Sequence, residues 1–286
     1  MKLLFLSGSV AALAAMLLLT SPAFHPSSAA AAVAVPAVKA PPDLSPHKAI
    51  YQLNLIRTTP RDGVRAVRGS MIYTLADRCD GYTVESNISM NMTFSDGEAQ
   101  DIDQRYAAWE AKDGRFSSFT MQTLENGKAQ KTYRGTITLA ADGSGQARYE
   151  GAETKDFDLD AGTMLSTAHT VALIQHAAAG KKFFSGQVID GSFDRGPFVV
   201  SAAIAPPRTA KVLFDREGTR DLSGGRYWPT SMAYFPVTSS ETLPEYELNM
   251  ELLPSGVSRS MEQDFGTFTV GFTLIDIEPG EKSGCE

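Results

Sequence analysis

Cysteine and histidine are scarce in this chain of 286 residues, which holds two of the first and four of the second. A zinc or similar metal centre needs several such ligands converging on one point. Beyond His25 near the start, only His47, His169 and His176 remain. The last pair would share a helix face, yet their rings would sit about 10 Å apart along its axis, too far for one ion. No metal and no cofactor is therefore expected, and both rings read as helix-surface or core histidines.

Other signatures are missing too. No Gly-x-x-x-x-Gly-Lys is followed by Ser or Thr, so a phosphate loop is absent. There is no Gly-x-Ser-x-Gly elbow, and Ser45-Pro46-His47-Lys48 fits Ser-x-x-Lys only by chance, ahead of the first strand. A close Cys-x-x-Cys redox pair is lacking. Basic residues are outnumbered, 26 Lys and Arg against 33 Asp and Glu, for a net charge of −7. That balance argues against nucleic acid or an anionic membrane surface as a main partner and fits ordinary solubility.

Apolar runs are short everywhere except at the start. Met1-Lys2, the apolar stretch Leu3 to Leu19 and the exit Thr20-Ser21-Pro22-Ala23 make the three parts of a secretory signal peptide. Ser7-Gly8-Ser9 interrupts the stretch, which falls short of the roughly 20 residues a membrane helix needs. A signal peptide over residues 1–30 is expected, cleaved between 23 and 34, with no transmembrane anchor left afterwards. Residues 31–46, rich in Ala, Pro and Val, read as a linker. Residues 47–286 are then one domain in an exported, oxidising compartment. There Cys79 and Cys285 are expected to pair, closing nearly the whole domain into one loop.

What the chain has in abundance is alternation. Tyr82, Val84, Ser86, Ile88, Met90, Met92 and Phe94 alternate with polar residues, between the turn signals Asp80-Gly81 and Asp96-Gly97. Similar segments run through 51–55, 71–75, 104–111, 116–124, 130–139 and 146–150. Further ones lie at 184–193, 197–205, 210–216, 227–235, 245–253 and 265–277. Asn126-Gly127 between two of them marks a hairpin. Residues 166–179 differ: helix formers with an apolar stripe of Val171, Ile174 and Ala178, a cap at Ser166 or Thr167, and Gly180 beyond the end. An all-β fold of mostly antiparallel strands with one main helix follows.

Two sharper readings attach to these segments. Tyr82, Met90, Met92 and Phe94 share one strand face, which is either ordinary core or a groove for a hydrophobic guest. The acids Asp101 and Asp103, and the run Asp156, Asp158 and Asp160, read as solvated surface rather than a calcium or glycosidase site. No catalytic residue is assigned, and an enzyme is not expected.

Several motifs, taken in order, resemble the cell-envelope integrity protein B family of Gram-negative bacteria, formerly a domain of unknown function. They are His47-Lys48-Ala49-Ile50-Tyr51-Gln52-Leu53, Gly69-Ser70-Met71-Ile72-Tyr73 and Asp77-Arg78-Cys79-Asp80-Gly81-Tyr82. Trp109-Glu110-Ala111-Lys112-Asp113-Gly114, Leu165-Ser166-Thr167-Ala168-His169-Thr170 and Val188-Ile189-Asp190-Gly191-Ser192 complete the series. Ser166 and Ile189 stand where the family commonly has an aromatic residue. The resemblance implies a highly curved, spiral-like antiparallel sheet of about fourteen strands, part of it similar to the half-open barrel of periplasmic lipoprotein carriers. It also implies a periplasmic location, the same Cys79–Cys285 disulfide and a role in envelope integrity. The expected function is non-enzymatic binding of another envelope component, with a periplasmic tetratricopeptide-repeat protein as candidate partner. The alternative is a lipid or lipoprotein carrier that uses the concave face of the sheet.

Overall fold

A computed structural model describes residues 43–59, 63–192, 194–238 and 242–281. The expected signal peptide, most of the expected linker, and Cys285 lie outside these residues. The described residues begin with Asp43 and Leu44. Leu44 lies N-terminal to the first strand, yet it is buried in the core.

The first half is a meander of β1 (His47–Thr58), β2 (Val64–Asp77), β3 (Gly81–Phe94) and β4 (Ala99–Ala111), continued by β5 (Phe116–Glu125), β6 (Lys128–Leu139), β7 (Gly145–Glu150) and β8 (Thr154–Leu159). A short β9 (Met164–Leu165) leads directly into α1 (Ser166–Ala178). Then follow β10 (Phe183–Ile189), β11 (Phe198–Ile204), β12 (Arg208–Ala210) and the single turn α2 (Arg220–Ser223). The last described elements are β13 (Gly225–Pro236), β14 (Tyr246–Leu252), β15 (Ser258–Asp264) and β16 (Phe268–Pro279).

These sixteen strands of the described residues form one curved sheet, in which β16 returns to pair with β1. Its order is β8 to β1, then β16, β15, β14, β13, β11, β10 and β9, with β12 attached to β13. Every pairing is antiparallel except β9 with β10, which α1 connects as a crossover. The two edge strands, β8 and β9, follow one another in the chain across residues 160–163. The chain thus leaves one edge of the sheet and starts the other in a few residues, which requires the sheet to roll up.

Local sequence explains most joints. Asn126 and Gly127 both take positive φ (50° and 74°), the pattern of the tight hairpin turn whose twist matches that of β5 and β6. The expected strand 82–94 is β3, and its alternation sends Tyr82, Val84 and Met92 into the core. Several expectations need correction, among them the 184–193 strand, which ends at Ile189, ahead of the turn at Gly191 (φ 79°). Residues 210–216 are not a strand beyond Ala210. There the Ser223 carbonyl and hydroxyl take up the N–H groups of Leu213 and Phe214, which leaves the segment no ladder to join. The expected 265–277 strand starts at Phe268, because Gly266 (φ 83°) makes the turn from β15. β8 and β15 are strands that alternation did not single out.

The core falls into three clusters. α1 fills the interior: Leu173, Ile174 and Ala177 share a cluster with Leu75 and Val84 from one half of the sheet and Val200, Met232 and Trp228 from the other. Ala178, expected on the apolar stripe, is exposed and Ala177 takes its place. No helix among the described residues is long and apolar enough to cross a membrane.

Candidate functional site

Strand alternation gives β4 two chemically different faces. Ala108 and Glu110 point inward, and Trp109 points outward. The two neighbours Trp109 and Glu110 organise the two candidate sites, one on each side of the sheet.

On the inside, Glu110 is buried to 1% exposure, where an unpaired carboxylate would be costly. It is held at the start of α1. The N-cap of that helix, Leu165, offers no side-chain acceptor. Glu110 Oε2 takes the role from across the core, accepting from the Thr167 N–H at 2.8 Å and the Thr167 hydroxyl at 2.6 Å. The expected cap at Ser166 or Thr167 is therefore replaced by a residue far away in sequence. Burial pushes the Glu110 carboxyl up to about 7, and the two Thr167 bonds offset this only in part. Desolvation outweighs those bonds, and the Asp190 carboxyl nearby adds to it.

The loop after β10 seals the same side. The Tyr106 hydroxyl donates to the Asp190 carbonyl, and the Tyr133 hydroxyl donates to the Ser192 carbonyl at 2.9 Å. Asp190 itself is tied by the Ser192 N–H at 2.8 Å and the Ser192 hydroxyl at 2.7 Å. Gly191 rests on the Phe119 ring, where a Cβ would stand 2.5 Å from it. Lys131 and Lys155 reach Asp194 at 3.0 and 3.3 Å. Three of the motifs noted in the sequence, those of Glu110, Thr167 and Asp190, thus meet where the rolled sheet closes. Neither composition nor motif spacing signals this seam.

A small cavity of about 60 Å3 lies beside Glu110, lined also by Leu44, His47, Tyr73, Tyr106 and Thr170. It is far below the roughly 300 Å3 at which ligand pockets begin, so it suits ordered water rather than a substrate. His47 is buried there with its Nδ1 2.7 Å from the Ser45 carbonyl, and burial lowers its pKa.

Tyr82 and Met92 of the expected binding face are buried, and Met90 and Phe94 pack half-buried against the core cluster that holds Met92. In this structure the face is filled by core. Lys112 sits 5.0 Å over the Tyr82 ring and pairs with Asp77 at 2.9 Å. His169 and His176 both contact Phe184, with ring centroids at 5.5 and 4.4 Å. The acids are dispersed: Asp101 accepts from Asn91, Asp156 from Arg148 and Asp158 from Gln146. Among the described residues no group of three His, Cys, Asp or Glu could hold a metal. Cys79 occupies the turn between β2 and β3 with φ 67°.

On the outside, register builds a groove of about 480 Å3, within the usual size of a ligand site. One cross-strand row runs Thr83, Trp109, Ser118, Thr136, Arg148, and the next runs Ala107, Thr120, Arg134, Glu150. Short residues occupy the middle of both rows, between the indole on one side and the arginine stems on the other. The Trp109 ring lies flat against Gly81, where a Cβ would stand 2.5 Å from it. Arg134 and Arg148 both reach Glu150, at 3.2 and 3.5 Å, and Arg148 also reaches Asp156 at 3.3 Å.

Comparison with known proteins covers this whole domain. A family model described as EipB-like matches residues 38–280. The chain is 28% identical over 263 residues to the cell envelope integrity protein EipB of Brucella abortus (strain 2308), covering 90% of this chain and 92% of that one. In three dimensions it is similar to a beta-barrel-like protein of a domain of unknown function from Brucella abortus. That match has a TM-score of 0.74 and 26% identity, over 83% of this chain and 99% of the other.

Proposed function

The chain belongs to the EipB-like family, and from that premise we propose that it is a periplasmic, non-enzymatic protein that maintains the cell envelope by binding another envelope component. The observation that carries this reading is the extent of the likeness to an envelope integrity protein, which spans nearly the full length of both chains. The use of the buried polar groups supports it. Glu110 and Asp190, the acids whose pKa values burial raises, are both committed to holding α1 and the loop after β10 in place. The export signal and a Cys79–Cys285 disulfide belong to the same reading. The concave interior is taken up by α1 and packed side chains, which favours a protein or surface-bound partner over a lipid carried inside.

Deletion of the gene tests it. The strain lacking it is expected to become sensitive to detergent and to agents that stress the envelope. The exported chain should restore resistance, and a version without residues 1–30 should not. A deletion strain as resistant as its parent, or rescue by the version kept in the cytoplasm, overturns the proposal.

A further inference from the structure

The groove outside β3 to β7 has the chemistry of a saccharide site. Trp109 is half-buried and lines the groove, with its indole against the backbone at Gly81 and the tilted Phe116 ring 6.0 Å away. A flat aromatic face fixed from behind is a platform for the C–H face of a sugar ring. Beyond it stand the hydroxyls of Ser118, Thr120 and Thr136, then the guanidinium groups of Arg134 and Arg148. These offer both donors and acceptors, as vicinal sugar hydroxyls require.

Charge decides between an anion and a neutral ligand. The two arginines are matched by Glu150 and Asp156, so the far wall is neutral in sum and its side chains are already oriented by their ion pairs. A phosphate or carboxylate would meet the Glu150 and Asp156 carboxylates beside each guanidinium, whereas a hydroxyl can donate to the acids and accept from the arginines. From Trp109 on β4 to Arg148 on β7 the groove crosses three strand intervals, about 14 Å. That length suits an oligosaccharide better than a single sugar. We propose that this groove binds a neutral oligosaccharide, stacked on Trp109 and hydrogen-bonded by Arg134, Arg148 and Glu150. The inference deepens the proposed function by naming the class of envelope component, and rests on that reading only for where the sugar is met.

The test is titration of the purified mature chain with tri-N-acetylchitotriose and with maltotriose, followed by tryptophan emission and calorimetry. The chain has two tryptophans, and Trp228 is buried at 3% exposure, so a Trp228→Phe background isolates Trp109. Saturable binding of at least one sugar is expected, with a change in Trp109 emission. It should weaken at least tenfold in Trp109→Ala. Thr120→Arg, at an exposed position, should block the groove to the same extent while keeping the parent melting temperature. No saturable signal with either sugar, or equal binding by the parent and both variants, overturns the inference. Failure here with an intact deletion phenotype leaves the envelope role standing; sugar binding without that phenotype does the reverse.

Discussion

Glu110 accepts two hydrogen bonds from Thr167, one from its N–H at 2.8 Å and one from its hydroxyl at 2.6 Å, and so fastens the helix inside the sheet to the strand that bounds it. The bond spans 57 positions in sequence and joins two residues that local reasoning would leave unrelated. It also places a titratable group with its pKa near neutrality at the joint of the fold.

Stability should therefore carry a Glu110 signature. An unfolded glutamate loses its proton near pH 4.5, whereas folded Glu110 holds it to about 7. The contribution of Glu110 is complete below pH 4.5 and is lost as pH rises to 7, on the order of 3 kcal/mol. Buried His169, pushed down to about 4 from 6.5, has the opposite slope, losing stability as pH falls through that interval. Asp190, raised, adds to the first trend, and His47, lowered, adds to the second, while Tyr73 and Tyr106 stay neutral around the carboxyl. Glu110→Gln keeps an acceptor for Thr167 without a charge. It should be at least as stable as the parent at pH 8 and lose more stability than the parent on acidification from 6.5 to 4.5. Superimposable melting profiles of the two proteins would show that Glu110 does not titrate in this range.

Gly191 is expected to resist any side chain. Its φ is 79°, and a Cβ would stand 2.5 Å from the Phe119 ring. Gly127 has a similar φ of 74° with nothing near its would-be Cβ. Gly127→Ala should cost about 1 kcal/mol from the backbone alone, and Gly191→Ala clearly more, about 3 kcal/mol. Urea midpoints with an unchanged slope measure the difference. Equal losses would mean that the loop moves aside freely from Phe119.

Much of this fold was legible in the sequence. The alternation of β3, the Asn126-Gly127 turn and the helix over 166–179 follow from local residue choice, and the structure has all three. β8 was harder to read, because Asp156 and Asp158 invite a ligand reading although they face solvent opposite Arg148 and Gln146. β15, from Ser258 to Asp264, is half-exposed on both faces and so has no clean period. The outer groove was illegible, because it depends on which residues stand opposite one another across β3 to β7. Trp109 and Arg148 meet the same trough only through pairings that the chain sets at long range. The cap on α1 is illegible for the same reason, since Glu110 reaches it from 57 positions away.

The loop after β10 should open when its tyrosine anchors are removed. Tyr106 and Tyr133 each donate to a loop carbonyl, and the phenyl ring left by Tyr→Phe still fills the core. Each single change should cost about 1 kcal/mol. The double change should cost less than twice that, since both bonds hold one loop. Hydrogen exchange across 190–196 reads the effect directly. Additive losses without faster exchange there would place the effect in the core rather than at the loop.

Cys79 offers a test that separates the disulfide from the backbone it sits on. Its φ of 67° is costly for a cysteine, and its N–H is held by Asp77 Oδ1 at 2.9 Å. If the proposed bond to Cys285 closes the domain, Cys79→Ser should remove up to about 5 kcal/mol, and the parent should lose as much on reduction. Cys79→Gly also loses the bond, but it relieves the backbone and should be about 1 kcal/mol more stable than Cys79→Ser. Cys285→Ser leaves the turn untouched and should match the reduced parent. Thermal melts with and without reductant decide the matter. A parent insensitive to reductant, with Cys285→Ser melting at the same temperature, would show that the two cysteines do not pair. Any loss in Cys79→Ser would then belong to the turn alone.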